Sequence, residues 1–253
     1  MLNDFDSLLV SVDDHGVLTC KLNRPDKFNA ITVQDMKDLD RLWADVAEDK
    51  SVRAVIVTGA GDRFCAGGDI TGMLNGEFNV KEITQTTFGT SCWKRFAALP
   101  QPTIAAINGT AAGVAIFFAG LSDIVLSVDT AKFGDPHVKI GLVPPGTGLF
   151  APLIGLRHTK FLMMTGEMIS AEEAFRIGLI NRIVGADELM PEANRLAQQM
   201  SSYPQEALQW TKKCVNRLLF VSWESLWDTE LAYETLSATT QSHRDAVEHF
   251  LQR

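Results

Sequence analysis

The sequence has no excess of basic residues, no apolar run long enough for a bilayer, and no cysteine or histidine cluster at metal-ligand spacing. Each absence removes a class of function. A formal net charge of −8 argues against a nucleic-acid partner, because such proteins present basic faces. Without a long apolar run no membrane helix is expected, and the acidic, polar opening residues do not read as a secretory leader. The four cysteines, Cys20, Cys65, Cys92 and Cys214, are scattered among apolar neighbours and read as reduced core residues. No metal site is expected, and a cytoplasmic location is the expectation. There is no internal repeat and no low-complexity tract.

What is present is organised around two glycine turns. Ala54-Val55-Ile56-Val57-Thr58 reads as a buried strand, and it leads to Arg63-Phe64-Cys65-Ala66-Gly67-Gly68-Asp69-Ile70. There glycines allow a sharp bend and close approach of a ligand, and Asp69 is placed to cap a helix starting near Ile70. Thr103-Ile104-Ala105-Ala106-Ile107 is a second buried strand, running into Asn108-Gly109-Thr110-Ala111-Ala112-Gly113-Val114 and an apolar helix start. Strand, glycine turn and helix start leave main-chain N–H groups facing a cleft, where they suit an anion or a developing oxyanion.

Around these turns the chain alternates strand and helix, which implies parallel strands joined by crossovers. Residues 7–12 and 17–22 form a hairpin across Asp13-Asp14-His15-Gly16. Thr32 caps a helix whose Val33, Met36, Leu39, Leu42, Trp43 and Val46 recur at helical spacing. Residues 71–80 read as a loop near the cleft, and 82–99 as a helix stopped by Pro100-Gln101-Pro102. Short strands are expected at 124–128 and 131–133, and a glycine–proline loop at 141–148. Further on, Ser170 with Glu173 forms a capping box and Asp187 is a second N-cap. Residues 206–219, 223–237 and 243–251 read as three helices, and Trp210, Trp223, Trp227 and Phe250 fill their core or meet a neighbouring subunit.

The chain resembles the crotonase superfamily, also called the enoyl-CoA hydratase/isomerase family, over nearly its whole length. The resemblance rests on Leu22-Asn23-Arg24-Pro25-Asp26-Lys27-Phe28-Asn29-Ala30, Phe64-Cys65-Ala66-Gly67-Gly68-Asp69-Ile70, Ala106-Ile107-Asn108-Gly109, Ser122-Asp123-Ile124, Phe133-Gly134-Asp135-Pro136-His137 and Gly141-Leu142-Val143-Pro144, in that order. It continues through Leu162 to Glu167 and Ala174 to Ile180. It implies an α/β fold, a spiral of β-β-α turns over residues 1–195, with a helical C-terminal region over 196–253 for oligomerisation. It implies a homotrimer or dimer of trimers, and an acyl-CoA substrate with coenzyme A as part of that substrate and no separate cofactor.

The resemblance also assigns roles. The thioester oxygen would sit between the N–H groups of Gly68 and Val114. Val114 stands where the family usually has glycine, yet its main chain still supplies a donor. Adenine would lie beside Ala66, with Lys27 or Arg24 near the phosphates; a solvated surface charge is the alternative for both. Asp69, Ile70 and Phe117 complete the expected substrate contacts.

Family hydratases hold one water between two glutamates, and this chain has Phe117 and His137 in their places. Phenylalanine cannot exchange a proton, whereas histidine can near neutral pH. His137 is therefore the candidate base, the alternative being a histidine that only lines the pocket. Asp135 reads as a turn carboxylate before Pro136, and the apolar Val138, Ile140 and Phe117 are expected to lower the His137 pKa, a shift that Asp135 would oppose if it faced the ring. His15, His158, His243 and His249 read as surface groups. Some relatives that cleave diketones carry a histidine at this place, with an aspartate in the later loop. That aspartate is missing from Pro144-Pro145-Gly146-Thr147-Gly148. Three functions remain open: enolate chemistry on an acyl-CoA, hydrolysis of a thioester or β-diketone by His137, and silent acyl-CoA binding.

Overall fold

The computed structural model describes residues 5–74 and 87–251. Its main sheet has six strands in the order β1 (Leu8–Val12), β2 (Val17–Leu22), β3 (Ala54–Gly59), β4 (Thr103–Ile107), β6 (Ile124–Val128) and β9 (Arg182–Val184). Only the β1–β2 hairpin is antiparallel; the other pairs are parallel, as crossover connections require. β3 and β4 are buried at every position, which explains their uninterrupted apolar runs. A smaller sheet joins β5 (Ala111–Ala112), β7 (Lys132–Gly134) and β8 (Ile169–Ser170).

Helix α1 (Val33–Glu48) opens with a capping box in which the Thr32 and Asp35 side chains accept from each other's N–H groups. It buries Met36, Leu39, Leu42, Trp43 and Val46, the stripe expected from spacing. Trp43 meets Phe96 of α3 (Thr87–Ala98) with ring centroids 5.0 Å apart. Between them lies the short α2 (Ile70–Leu74), so residues 71–74 are helical; the rest of the loop expected over 71–80, and residues 82–86 of the expected helix, lie outside the described residues. Helix α4 (Ile116–Leu121) is wholly buried. Helix α5 (Thr147–Thr165) kinks at Gly155, where φ is +79°. Ser170 caps α6 (Ala171–Arg176), but the Glu173 carboxylate pairs with Arg176 and does not close a box. Asp187 lies inside a 3-10 turn, Ala186–Glu188, whose cap position is Gly185; it is not the N-cap expected.

After α7 (Leu189–Ser201), the chain forms α8 (Gln205–Ala238) and α9 (Gln241–Leu251). The two helices expected over 206–237 are thus one rod of 34 residues, about 50 Å long at 1.5 Å per residue. No proline or glycine falls within it to break the ladder. Residue 196, the expected start of the helical region, falls inside α7. Among the described residues no helix is long and apolar enough to cross a membrane. Cys20, Cys65 and Cys92 are buried, but Cys214 is exposed on α8, not in the core. Burial pushes the Cys20 and Cys65 thiols up to about 12.

Two asparagines fix the loop between β3 and the first glycine turn. The Asn108 amide donates to Gly59 and Gly61 carbonyls and accepts from Gly59 N–H at 3.1 Å. Asn29, in the left-handed region at φ +55°, donates to Ala60 and Arg63 carbonyls at 2.8 Å and accepts from Arg24 N–H. Asn29 is buried, so its replacement leaves partners without bonds. Asn29→Ala should cost about 3 kcal/mol, from the lost bonds and the left-handed backbone. Equilibrium urea unfolding measures it; a change below about 1 kcal/mol contradicts the clamp.

Candidate active site

Three parallel segments bring the site together. Cys65 N–H donates to Thr110 O at 2.9 Å, and Ala112 N–H donates to Cys65 O at 3.1 Å. Ala111 and Ala112 in turn pair with Phe133 and Gly134. On the other flank, Ile31 N–H donates to Gly67 O and Asp69 N–H to Ile31 O. Because these pairings are parallel, the residues that follow each segment emerge at the same end. Those residues are Gly68, Val114 and His137.

The turns touch through backbone alone. A side chain on Gly67, whose φ is +102°, would meet Ala112 O at 2.8 Å. One on Gly113, at φ +55°, would lie 3.5 Å from His137 Cε1. Glycine is required at Gly67 by the close approach and by the backbone, and is favoured at Gly113 by its positive φ alone. Around Gly68, the neighbouring N–H groups are occupied: Ala66 by Phe28 O, Gly67 by Cys65 Sγ and Asp69 by Ile31 O. Among the described residues Gly68 N–H has no protein acceptor. Val114 is the second residue of the 3-10 turn Gly113–Ala115, where a first-turn N–H has no intrahelical acceptor.

His137 sits in the 3-10 turn Pro136–Ile140 and is 7% exposed. The Asp135 carboxylate accepts from His137 N–H at 3.1 Å and also engages the ring at Nδ1. Asp135 does cap the turn, but it also faces the imidazole, which the turn-carboxylate expectation missed. An Nδ1–H held this way leaves Nε2 as the proton acceptor. Burial by itself lowers the His137 pKa; the Asp135 charge, its hydrogen bond and the charge of Glu234 outweigh burial and leave it raised. The lowering expected from burial is therefore present but outweighed, because Asp135 faces the ring, and the net direction is upward and not downward.

Sequence reading gave no role to the C-terminal helix at this site. One face of α8 carries Trp227, Glu230, Glu234 and Ser237. Glu230 Oε1 accepts from Thr147 Oγ1 at 2.5 Å and Gly148 N–H at 2.7 Å, and Ser237 Oγ accepts from Val143 N–H at 3.0 Å. His243 on α9 is buried, not a surface group, and its Nδ1 lies 2.6 Å from Ile140 O. These bonds strap the loop that follows His137. Glu234, 8% exposed, lies between the straps, and its burial pushes its carboxyl up to about 7. The only advance signal was helical spacing of polar residues on an otherwise apolar face.

The other expected contacts divide. Lys27 and Ala66 are exposed, next to the exposed ring of Phe28, over which the Arg63 guanidinium lies 4.7 Å from the centroid. Arg24 is not free for a phosphate: it donates to Ala30 O and pairs with Asp69 at 3.3 Å. Asp69 also accepts from Gly72 N–H, capping α2 as expected, and half-buried Ile70 starts that helix. Phe117 is 1% exposed and packs among Trp93, Phe150 and Trp227, with centroids 5.1 to 6.2 Å away.

The same arrangement of chain occurs in known proteins. A family model described as enoyl-CoA hydratase/isomerase matches residues 13–252. A probable enoyl-CoA hydratase of Mycobacterium tuberculosis is 35% identical over 233 residues, 91% of this chain and 87% of that protein. The 1,2-epoxyphenylacetyl-CoA isomerase of Escherichia coli is 31% identical over 248 residues, 96% of this chain and 95% of its own length. A crystal structure of an enoyl-CoA hydratase/isomerase from Mycobacterium paratuberculosis superposes with a TM-score of 0.87 at 32% identity, covering 97% of this chain and 99% of that one. With a family model spanning nearly all its residues and relatives above 30% identity along its length, the chain belongs to the enoyl-CoA hydratase/isomerase family of the crotonase superfamily.

Proposed function

We propose that the protein moves a proton on the acyl part of a CoA thioester, isomerising a carbon–carbon double bond through an enolate. The observation that carries this is the Asp135–His137 pair set against two adjoining turns with unclaimed N–H groups. The thioester oxygen accepts from Gly68 and Val114 N–H. As the α-proton leaves, negative charge gathers on that oxygen, and each fixed donor contributes roughly 3 kcal/mol to the transition state. Neutral His137 takes the α-proton at Nε2 and returns it at the γ-carbon, so one group suffices and the proton count closes. Water addition is disfavoured, because Phe117 fills one glutamate position from inside an aromatic cluster.

The exposed strip of Lys27, Phe28, Arg63 and Ala66 is suited to the nucleotide end of coenzyme A, with a ring for the adenine and cations for phosphates. The exposed apolar side chains of α8, among them Leu218, Val221, Tyr233 and Leu236, favour assembly as a homotrimer or dimer of trimers. A cytoplasmic enzyme follows from the same reading. A second function, thioester or β-diketone hydrolysis, is favoured by the Asp–His pair, which also suits activation of water. Silent acyl-CoA binding stays as the outcome in which nothing turns over.

A panel of CoA thioesters incubated in deuterium oxide, with products read by mass spectrometry, tests the reaction. Deuterium at the α- or γ-carbon with little hydration of crotonyl-CoA is expected. Release of free CoA favours the hydrolase, and binding without exchange the silent protein. Gly68→Pro lacks the donor and should abolish turnover in a folded protein; unchanged turnover overturns the assignment.

His137→Gln should lower turnover about 10²-fold or more while acyl-CoA affinity is kept. Wild-type rate with an unchanged pH profile would make His137 a lining residue only.

Activity requires neutral His137, so it should rise with pH through a His137 pKa above the ordinary histidine value. Asp135→Asn removes the charge that favours the imidazolium, so the acid limb should move to lower pH. A limb that stays in place counts against the pair.

A further inference from the structure

We propose that a hollow between α5, α8 and the edge of the main sheet away from His137 binds a small, uncharged and mainly apolar molecule, one hydroxyl or carbonyl oxygen of which accepts from the Lys212 ammonium. The placement follows from the sheet. β4 and β6 are parallel, so both start at one edge and end at the other. From their ends the chain runs on to Val114 and to His137. Pro102, Asp123 and Ile124 stand at the starting edge, one strand length away, about 16 Å at roughly 3.3 Å per residue. With Leu153 of α5 and Val215 and Leu219 of α8 they border a hollow of about 480 Å³. Small-molecule sites span roughly 300–1,000 Å³ and combine apolar walls with a few polar groups that fix orientation. Most of the residues lining this hollow are apolar.

The polar group is Lys212, which also lines the hollow. Its side chain is 8% exposed. The ammonium has three N–H groups. One donates to Asp123 Oδ2 at 2.7 Å and another to Gln101 O at 2.9 Å. Among the described residues the third meets no acceptor. A buried donor on a charged group is costly to leave unpaired, so an oxygen placed there gains a strong bond. Burial draws the Lys212 pKa below the ordinary lysine value, with Asp123 opposing, as suits an ammonium poor in water.

Charge sets the class of molecule. Asp123 and Lys212 already neutralise each other. An anionic head would take the third N–H but meet the Asp123 carboxylate, and a cationic head would meet the ammonium. An uncharged oxygen bonds to Lys212 at neither cost, while an aliphatic or aromatic body gains by leaving water. A second hollow of about 420 Å³ also borders Lys212, but Gln209 and Lys213 stand in its wall, so it suits an apolar body less well. The hollow lies at the far edge of the sheet from His137, so the proposal rests on no reading of the reaction.

The test is calorimetric titration of the full chain with three probes of one length: 1-octanol, octanoate and octylammonium. Octanol should bind, and each charged probe should bind at least about tenfold more weakly. Val215 is exposed at the rim of the hollow, so Val215→Trp should fold and block octanol. Gln209→Trp, beside the second hollow, should leave octanol affinity unchanged. Lys212→Met keeps the length of the side chain without the ammonium and should weaken octanol about tenfold. Should that variant not fold, the ranking of the probes and the two tryptophan variants decide the matter. No heat with octanol, or equal affinity in wild type and Val215→Trp, overturns the proposal. Octanoate or octylammonium binding as tightly as octanol does so too, as does loss of binding in Gln209→Trp alone. Octanol affinity that falls as protein concentration rises would mean that a second copy of the chain fills the hollow, which also overturns it.

Discussion

Two backbone hydrogen bonds, Cys65 N–H to Thr110 O and Ala112 N–H to Cys65 O, hold the first glycine turn beside the second. Everything at the site depends on them. They hold the turn that carries Gly68 beside the turn that carries Val114, and through the Ala111–Phe133 pairing they fix where the chain reaches His137. The contact tolerates no side chain at Gly67, and the left-handed backbone favours glycine at Gly113. A fixed array of main-chain donors does not reorganise during reaction, which is what the proposed enolate chemistry would require of it.

Around that seam the charged motif residues serve as scaffolding. Asp123 accepts from Thr103 N–H and Oγ1 and pairs with Lys212 at 2.7 Å, joining the sheet to the C-terminal helix. Arg24 joins Asp69 and Asp35, and Asn29 and Asn108 hold the loop above. Arg24, Asn29, Asp69, Asn108 and Asp123, all within the motifs that carry the resemblance, belong to this framework of buried and half-buried polar groups, each matched to a partner.

The sheet and the glycine turns were legible because they rest on local signals: apolar β-branched runs, glycine pairs and caps. Thr32 and the α1 stripe lie within a few residues of one another, so periodicity finds them. Contacts between distant segments were not legible. Asp135 turns toward His137 because the 3-10 turn folds the chain back over two residues, which composition does not reveal. Ser237 and His243 lie about a hundred residues from the loop they close. Their role appears only once α8 is seen to run unbroken. The short strands β5, β8 and β9 carry two or three residues each, too few to show a period.

The ring of Phe117 bears on the loop that follows His137 as well as on its own aromatic cluster. It occupies the space above Gly146, where φ is +67° and a side chain would run into its edge. Positions 117 and 146 therefore constrain each other in packing. A lineage exchanging the phenylalanine for glutamate leaves an unfilled hollow between Trp93 and Trp227, whereas one enlarging residue 146 must first lose the ring. Either change made alone is expected to lower stability, so the packing at one position restricts what the other can hold.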